Sequence, residues 1–251
     1  MIEAETRTSP QAAPRLKRLR TTIGVLASGL GVAPHPKPPP SAVEMSSALA
    51  HVFTTLAIDL VIDVGAGSGA FGTMIRSTGY TGPIASFEPI PSLFAALDAL
   101  TASDDRWTAS PVAIGATPGT LPLNVVDLGN APMHRATVTR RDVAMHRLDQ
   151  IIPPLRARHD ARRIFLNIDA PMRERDILAG AEQTIGRIAA VRTRLSTTLQ
   201  SDGMPHYLAI LSMFEARHFS PHRFFPLSED LPGPIDFAAC LLRQTATNPG
   251  G

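Results

Sequence analysis

An apolar segment that ends on an acid and runs into spaced glycines restricts the fold of this chain more than any other feature. It reads LVIDVGAGSGAFG and occupies residues 60–72. The apolar run predicts a buried strand, and Gly65, Gly67 and Gly69 let the backbone turn tightly and approach a ligand closely. The following helix presents free N–H groups at its start. The segment therefore predicts a strand, loop and helix with a ligand at the carboxyl end of the strand.

Strand and helix patterns alternate beyond this segment. Buried strands are predicted at 84–89 and 164–169, a third strand from Trp107 to Ala113, and a helix whose apolar face reaches Ile188. The segments 222–227 and 235–243 are expected to form a closing antiparallel pair. This order predicts an α/β fold with a doubly wound, mostly parallel sheet. In such sheets, ligands bind beyond the carboxyl ends of the strands.

Composition excludes several classes of protein. The chain is 44% hydrophobic and 18% charged, with a formal net charge of only +2, so nucleic acid is not indicated as a partner. Its single cysteine, Cys240, excludes an internal disulfide and a cysteine-based zinc site. No apolar run reaches the roughly 20 residues of a membrane span. The segment RLKRLRTTIGVLASGLGVA imitates a signal peptide, but its apolar residues have helical spacing, which favours a helix in a cytoplasmic protein.

The glycines fit two classes of cofactor. Gly67, Gly69 and Gly72 satisfy the G-x-G-x-x-G pattern of dinucleotide-binding folds, and Glu88 follows where a ribose-binding acid is expected. S-adenosylmethionine (SAM) uses the same arrangement. Asp63 favours SAM, because a carboxylate at this point would repel a pyrophosphate but suits an ammonium group, directly or through water. NAD stays the alternative.

Two further residues are expected to form an adenine pocket. Trp107 follows the acidic loop DDRW and could wall the adenine ring, although packing would also explain the only tryptophan of the chain. Ala113 is expected to end the same strand. Together they favour a nucleoside site beside the glycines.

The segment VIDVGAGSGAFGTMIRSTGYTGPIASFEPIPSLFAAL resembles the cofactor half of the FkbM family of SAM-dependent methyltransferases. The FEP after the second strand and the GY-x-G-x-I before it are the specific parts, and the resemblance covers about residues 55–200. It implies a class I, Rossmann-like methyltransferase fold with a seven-stranded sheet, and methyl transfer to a hydroxyl. By matching motif, it implies that SAM is bound by Asp63, Gly65, Ala66, Gly67, Gly69, Glu88 and Pro89.

The second half departs from the family pattern. The family usually reads lysine-isoleucine-aspartate, then two residues, glycine, one residue and glutamate. Here both acids are kept as Asp169 and Glu174, but Asn167 replaces the lysine and Met172 the glycine. The glutamate expected near the end of the fifth strand is Arg194. These positions face the acceptor in the family, so the resemblance implies an acceptor site formed by Asn130, Asn167, Glu174 and Arg194.

Methyl transfer to an alcohol needs a positioned base, because the hydroxyl loses its proton as it attacks. Asp169 is the leading candidate, since it ends a buried strand beside the expected methyl group, although it could also cap the next helix. His134 is the second candidate if the 130–140 loop folds over the site. Asp169 and Glu174 lie five residues apart across a proline, so we expect no metal site.

Residues 1–40 are interpreted as a basic extension with a helix and a proline-rich linker, 41–245 as the methyltransferase domain, and 246–251 as a flexible tail. The expected function is O-methylation of a small molecule, such as a sugar or a polyketide-like metabolite. The alternatives are a SAM-binding protein that has lost turnover and an NAD-dependent oxidoreductase. The N-terminal helix could cover the site, dock on a partner or form a homodimer, and the sequence leaves these open.

Overall fold

The computed structural model describes residues 40–127, 137–197, 206–227 and 236–244. The helix and linker expected before residue 40, and the tail expected after residue 245, lie outside these ranges. The helices are α1 (Pro40–Thr55), α2 (Ala70–Ser77), α3 (Pro91–Thr101), α4 (Leu148–His159), α5 (Glu174–Ala179) and α6 (Tyr207–Glu215). The strands are β1 (Leu60–Val64), β2 (Ile84–Phe87), β3 (Trp107–Ser110), β4 (Ala113–Ile114), β5 (Gly119–Asp127), β6 (Thr137–His146), β7 (Ile164–Ile168), β8 (Ile188–Ser196), β9 (Phe219–Pro226) and β10 (Asp236–Arg243). Over these ranges, every helix is too short or too polar to span a membrane.

Seven strands form the main sheet in the order β3-β2-β1-β7-β8-β10-β9. Strands β3, β2, β1, β7 and β8 are parallel, whereas β10 runs antiparallel to both β8 and β9. The chain moves outward in one direction from β1 and in the other direction from β7, so the order reverses between them. The predicted doubly wound sheet and its antiparallel C-terminal pair are confirmed.

Helices cover both faces of this sheet, because its central strands are apolar on both sides. Every residue of β1 and β7 is buried. One face packs on α4, α5 and α6 through a cluster that includes Leu60, Ile62 and Leu166. The other face packs on α1 and α2 through a cluster that includes Val61 and Phe165. Continuous apolar runs of this kind are typical of parallel strands buried on both faces.

A small second sheet, in the order β4-β6-β5, follows β3 in the chain. The expectation that Trp107 and Ala113 share one strand is wrong, because β3 stops at Ser110 and Ala113 opens β4 in the second sheet. Pro111 lies between them and lacks the N–H that a continuous ladder needs. Strand β6 pairs with β5 as a hairpin and was not predicted.

The prediction of a helix that reaches Ile188 is also wrong. α5 ends at Ala179, and Ile188 is the first residue of β8. Gly180 follows the helix at a point of close contact, where a Cβ atom would lie 2.2 Å from the carbonyl oxygen of Gly115. The apolar spacing beyond Gly180 therefore belongs to turns and to β8.

Candidate functional site

The glycine loop lies at the carboxyl end of β1, where the strand order reverses. Gly65, Gly67 and Gly69 all have positive φ, at 76°, 57° and 94°. A Cβ on Gly65 would lie 2.4 Å from the backbone oxygen of Asp169, so this glycine allows the loop to pack on the end of β7. A Cβ on Gly67 would meet nothing within 4 Å. Gly67 is therefore the glycine whose backbone faces open space, as close approach of a ligand requires.

Glu88 follows β2 directly and holds this loop. Its Oε2 accepts a hydrogen bond from the Gly67 N–H at 2.8 Å, and its Oε1 accepts one from the Ile90 N–H at 2.8 Å. The side chain is buried, and burial raises the pKa of its carboxyl group. Ala66 is buried beside it, and Pro89 is half-buried. Gly67 and Glu88 are thus in direct contact, and their binding of a cofactor stays a prediction.

Asp63 lies in the interior of the fold and does not line an open pocket. It is fully buried, its Oδ1 accepts a hydrogen bond from Asn167 Nδ2 at 2.7 Å, and its Oδ2 accepts one from Ser86 Oγ at 3.0 Å. Direct pairing with a ligand ammonium, one of the two forms of the prediction, does not fit this burial. Ser86, Asp63 and Asn167 are register partners on β2, β1 and β7, so they form one polar row across the sheet.

Burial of Asp63 predicts a pH dependence of stability. Burial raises its pKa from 3.8 to about 6, while its hydrogen bonds to Asn167 and Ser86 act in the opposite direction. The folded state therefore binds this proton more tightly than the unfolded state. Protonation of Asp63 therefore contributes about 3 kcal/mol to the free energy of unfolding below pH 4. This contribution is lost as the pH rises through 6.

We expect urea unfolding of the wild type to show this decline between pH 4 and 7. In D63N the decline should shrink by the contribution of Asp63, because asparagine does not titrate. If the free energy of unfolding had the same pH dependence in D63N and in the wild type, the raised pKa of Asp63 would be contradicted.

Trp107 packs beneath the glycine loop. Its ring is buried, its indole N–H donates to Ser86 Oγ at 3.0 Å, and a Cβ on Gly72 would lie 2.1 Å from the ring. Gly72 is thus needed for this packing. These contacts give Trp107 a structural role, and Ala113 lies in the other sheet. The adenine pocket expected from these two residues stays a prediction.

Asp169 follows β7 and lies beside the glycine loop, since its N–H donates to the Val64 carbonyl at 2.9 Å. Its side chain is 31% exposed, so it can reach a bound molecule. Arg194 Nη1 lies 4.0 Å from Asp169 Oδ1, and Arg194 Nη2 lies 3.5 Å from Asp236 Oδ2. Arg194 thus lies between the carboxylates of Asp169 and Asp236. The side chains of Asp169, Arg194 and Asp236 are each about one-third exposed.

Glu174 and Met172 lie in the segment after Asp169. Glu174 is 2% exposed, and burial raises the pKa of its carboxyl group. Its Oε2 has no hydrogen-bond partner in the part of the chain that the structure describes. Met172, which replaces the family glycine, has φ 70°, a conformation that favours glycine. The departure at 172 thus keeps the backbone turn and places a half-exposed thioether side chain on it.

Asn167 does not face the acceptor as the resemblance implied. It is fully buried, and besides donating to Asp63 it accepts a hydrogen bond at its Oδ1 from Arg192 Nη1 at 2.7 Å. Sequence reasoning missed Arg192 altogether. The available signal was the spacing of Arg192 and Arg194, because residues two apart on a strand share a face, and here both approach Asp169.

Asn130 and His134 lie outside the described residues, so their predicted roles stay predictions. Among the described residues, no group of three or more histidine, cysteine or acidic side chains is arranged to hold a metal ion.

No protein-family model matches the chain, and no curated protein matches it. Solved structures do resemble it. Magnesium protoporphyrin IX methyltransferase from Synechocystis PCC 6803 with bound SAM is 9% identical, with a TM-score of 0.48, over 94% of this chain and 100% of that one. An rRNA methylase from Streptococcus thermophilus is 11% identical, with a TM-score of 0.47, over 84% and 100% of the two chains. Precorrin-6y C5,15-methyltransferase from Geobacter metallireducens GS-15 is 11% identical, with a TM-score of 0.43, over 80% and 88%. Neither substrate nor activity follows from similarity in fold, and FkbM membership stays a prediction from the motifs.

Proposed function

We propose that this chain is a SAM-dependent O-methyltransferase related to the FkbM family. The observation that carries the proposal is the contact between Glu88 and the Gly67 N–H at the reversal of the strand order. It brings a ribose-binding acid and an open glycine backbone to the place where ligands of such sheets bind.

The strand order favours SAM over a dinucleotide. Dinucleotide-binding folds of the Rossmann type have the order 3-2-1-4-5-6. Here the antiparallel β10 is inserted between β8 and β9. That insertion agrees with the antiparallel C-terminal pair of the class I methyltransferase fold that the sequence motifs imply. This support replaces the argument from Asp63, whose burial removes it from direct contact with an ammonium.

The residues of the loop fit a nucleoside with an amino-acid tail. Glu88 has lone pairs left for ribose hydroxyls, because each of its oxygens accepts one backbone hydrogen bond. Gly67 leaves space that a Cβ would fill. When bound, SAM supplies an electrophilic methyl group on a sulfonium. The chain has to orient the acceptor oxygen, exclude water and take the hydroxyl proton.

Asp169 is proposed as the group that takes this proton. It is half-exposed, and it is attached to the end of β7 next to the glycine loop. Arg194 is proposed to contact the acceptor, because its side chain is 33% exposed and its guanidinium lies beside Asp169. The acceptor proposed is a small molecule with a hydroxyl group, such as a sugar or a polyketide-like metabolite.

One observation favours a second candidate, a SAM-binding protein without turnover. Asp169 lies within 4.0 Å of two guanidinium groups, those of Arg192 and Arg194. A carboxylate engaged in this way has less freedom to reach a hydroxyl. Both candidates require SAM binding, and only the first requires consumption of SAM with an acceptor.

The test is titration of SAM into G67A and G79A. Gly67 and Gly79 have positive φ, and a Cβ on either would meet nothing within 4 Å, so alanine should cost about 1 kcal/mol of stability at each. We expect G67A to weaken SAM binding about tenfold or more, because its methyl group occupies the space of the ligand. G79A, which lies in the turn before β2, should bind SAM as the wild type does. Equal affinity of wild type and G67A would contradict the proposed site.

A further inference from the structure

A guanidinium group lies buried behind Asp169, and none of the sequence motifs accounts for it. Arg192, on β8, is 5% exposed. Its Nη1 donates to Asn167 Oδ1 at 2.7 Å and lies 3.7 Å from Asp169 Oδ2. Its guanidinium carbon lies 5.4 Å from the centre of the Phe71 ring. Its Nε has no hydrogen-bond partner among the described residues.

A buried cation needs compensation, because removal from water penalises the charged form. Arg192 has two sources of it. Asp169 is an ion-pair partner on one side, and Asp63 lies behind Asn167, whose amide group donates to Asp63 and accepts from Arg192. Asn167 therefore fixes the guanidinium in front of Asp63, and the Nη1 that donates to Asn167 also lies 3.7 Å from Asp169 Oδ2.

We propose that Arg192 is a positioning residue: anchored by Asn167, it fixes the carboxylate of Asp169 at the end of β7. The proposal rests on the proposed function, because it concerns the part of the site where the methyl group would be transferred. It adds to the site a buried residue of β8, the strand that also carries Arg194.

The consequence concerns how the site distinguishes the cofactor from its product. In the transfer the S–CH3 bond breaks, a C–O bond forms and the hydroxyl proton passes to a base. SAM carries a positive sulfonium, whereas S-adenosylhomocysteine (SAH) carries a neutral thioether. An Asp169 released from Arg192 would be free to pair with the cation. By holding Asp169 in an ion pair, Arg192 keeps the affinities for SAM and SAH closer together.

The test is calorimetric titration of SAM and SAH into wild type, R192M, D169N and the double variant R192M/D169N. In R192M we expect the ratio of the SAM to the SAH dissociation constant to fall about fivefold. In D169N it should rise. In the D169N background, R192M should change the ratio less than about twofold, because the residue acts through Asp169.

The matched control is R243M. Arg243 is a partly buried arginine that, like Arg192, lies over an aromatic ring, with its guanidinium carbon 4.3 Å from the centre of Phe219. It donates to the Ile188 carbonyl at 2.7 Å, at the opposite end of β8. We expect R243M to leave the ratio unchanged. If R192M does not fold, R192Q removes the charge while keeping a donor for Asn167. The same fall in the ratio of the SAM to the SAH dissociation constant is then expected in R192Q.

Two results would overturn the inference. A ratio that is the same in R192M and wild type would show that Arg192 only packs. An equal shift in the wild-type and D169N backgrounds would show that it does not act through Asp169. Failure of the wild type to bind either SAM or SAH would instead reject the proposed function.

Discussion

Replacing Asn167 by leucine is expected to lower the free energy of unfolding by about 3–5 kcal/mol. Asn167 links two buried charges, since it donates to Asp63 at 2.7 Å and accepts from Arg192 at 2.7 Å. Leucine has a similar volume but offers neither group. Asp63 would keep only its bond from Ser86, and Arg192 would lose its closest acceptor. Leaving buried polar groups unpaired costs more than the hydrogen bonds themselves contribute.

The control for this change is N124L. Asn124 lies on β5 with an exposed side chain, so the same substitution should change the free energy of unfolding by less than about 0.5 kcal/mol. Urea unfolding at pH 7 measures both variants. A loss of less than about 1 kcal/mol in N167L would mean that the polar row does not hold the sheet as described.

Replacing Gly65 by alanine is expected to destabilise the fold by about 2–5 kcal/mol. Its φ of 76° is unfavourable for alanine, and the added Cβ would lie 2.4 Å from the Asp169 carbonyl oxygen and 2.8 Å from its carbon. Both atoms belong to the backbone of Asp169, which directly follows β7 and donates its N–H to the Val64 carbonyl, so neither can move without disturbing the pairing of β1 with β7. Because Asp169 would shift with that backbone, SAM binding should be lost as well.

G67A is the comparison for this variant, since its φ is also positive but its Cβ would meet nothing within 4 Å. G65A should unfold at a clearly lower temperature than G67A. Equal melting temperatures would show that close packing of the loop on β7 is not what requires glycine at 65.

The parts of the fold that the sequence predicted are those with strong local patterns. The apolar runs of β1 and β7 and the glycines after β1 were sufficient for the strand, the loop and the reversal of the sheet. Strand β6 was missed because Arg140, Arg141 and Asp142 are all exposed on it. A hairpin with little burial carries almost no apolar alternation. The length of α5 was missed because Gly180 is required by a contact with Gly115, which lies 65 residues earlier.

The sequence predicted those residues of the candidate site whose position follows from the end of a neighbouring strand. Gly67 and Glu88 were found because each lies just after a strand that could be recognised. The burial of Asp63 could not be read from the sequence, because its partner Asn167 is 104 residues away and meets it only through the register of β1 with β7. Arg192 was missed for the same reason. Cross-strand neighbours depend on strand order, which no local pattern contains.

The most direct test of the central claim is calorimetric titration of the wild-type protein with SAM, SAH and NAD in parallel. The proposed site predicts that SAM and SAH both bind and compete with each other, and that NAD does not bind. Binding of NAD alone, or of none of the three, would contradict it.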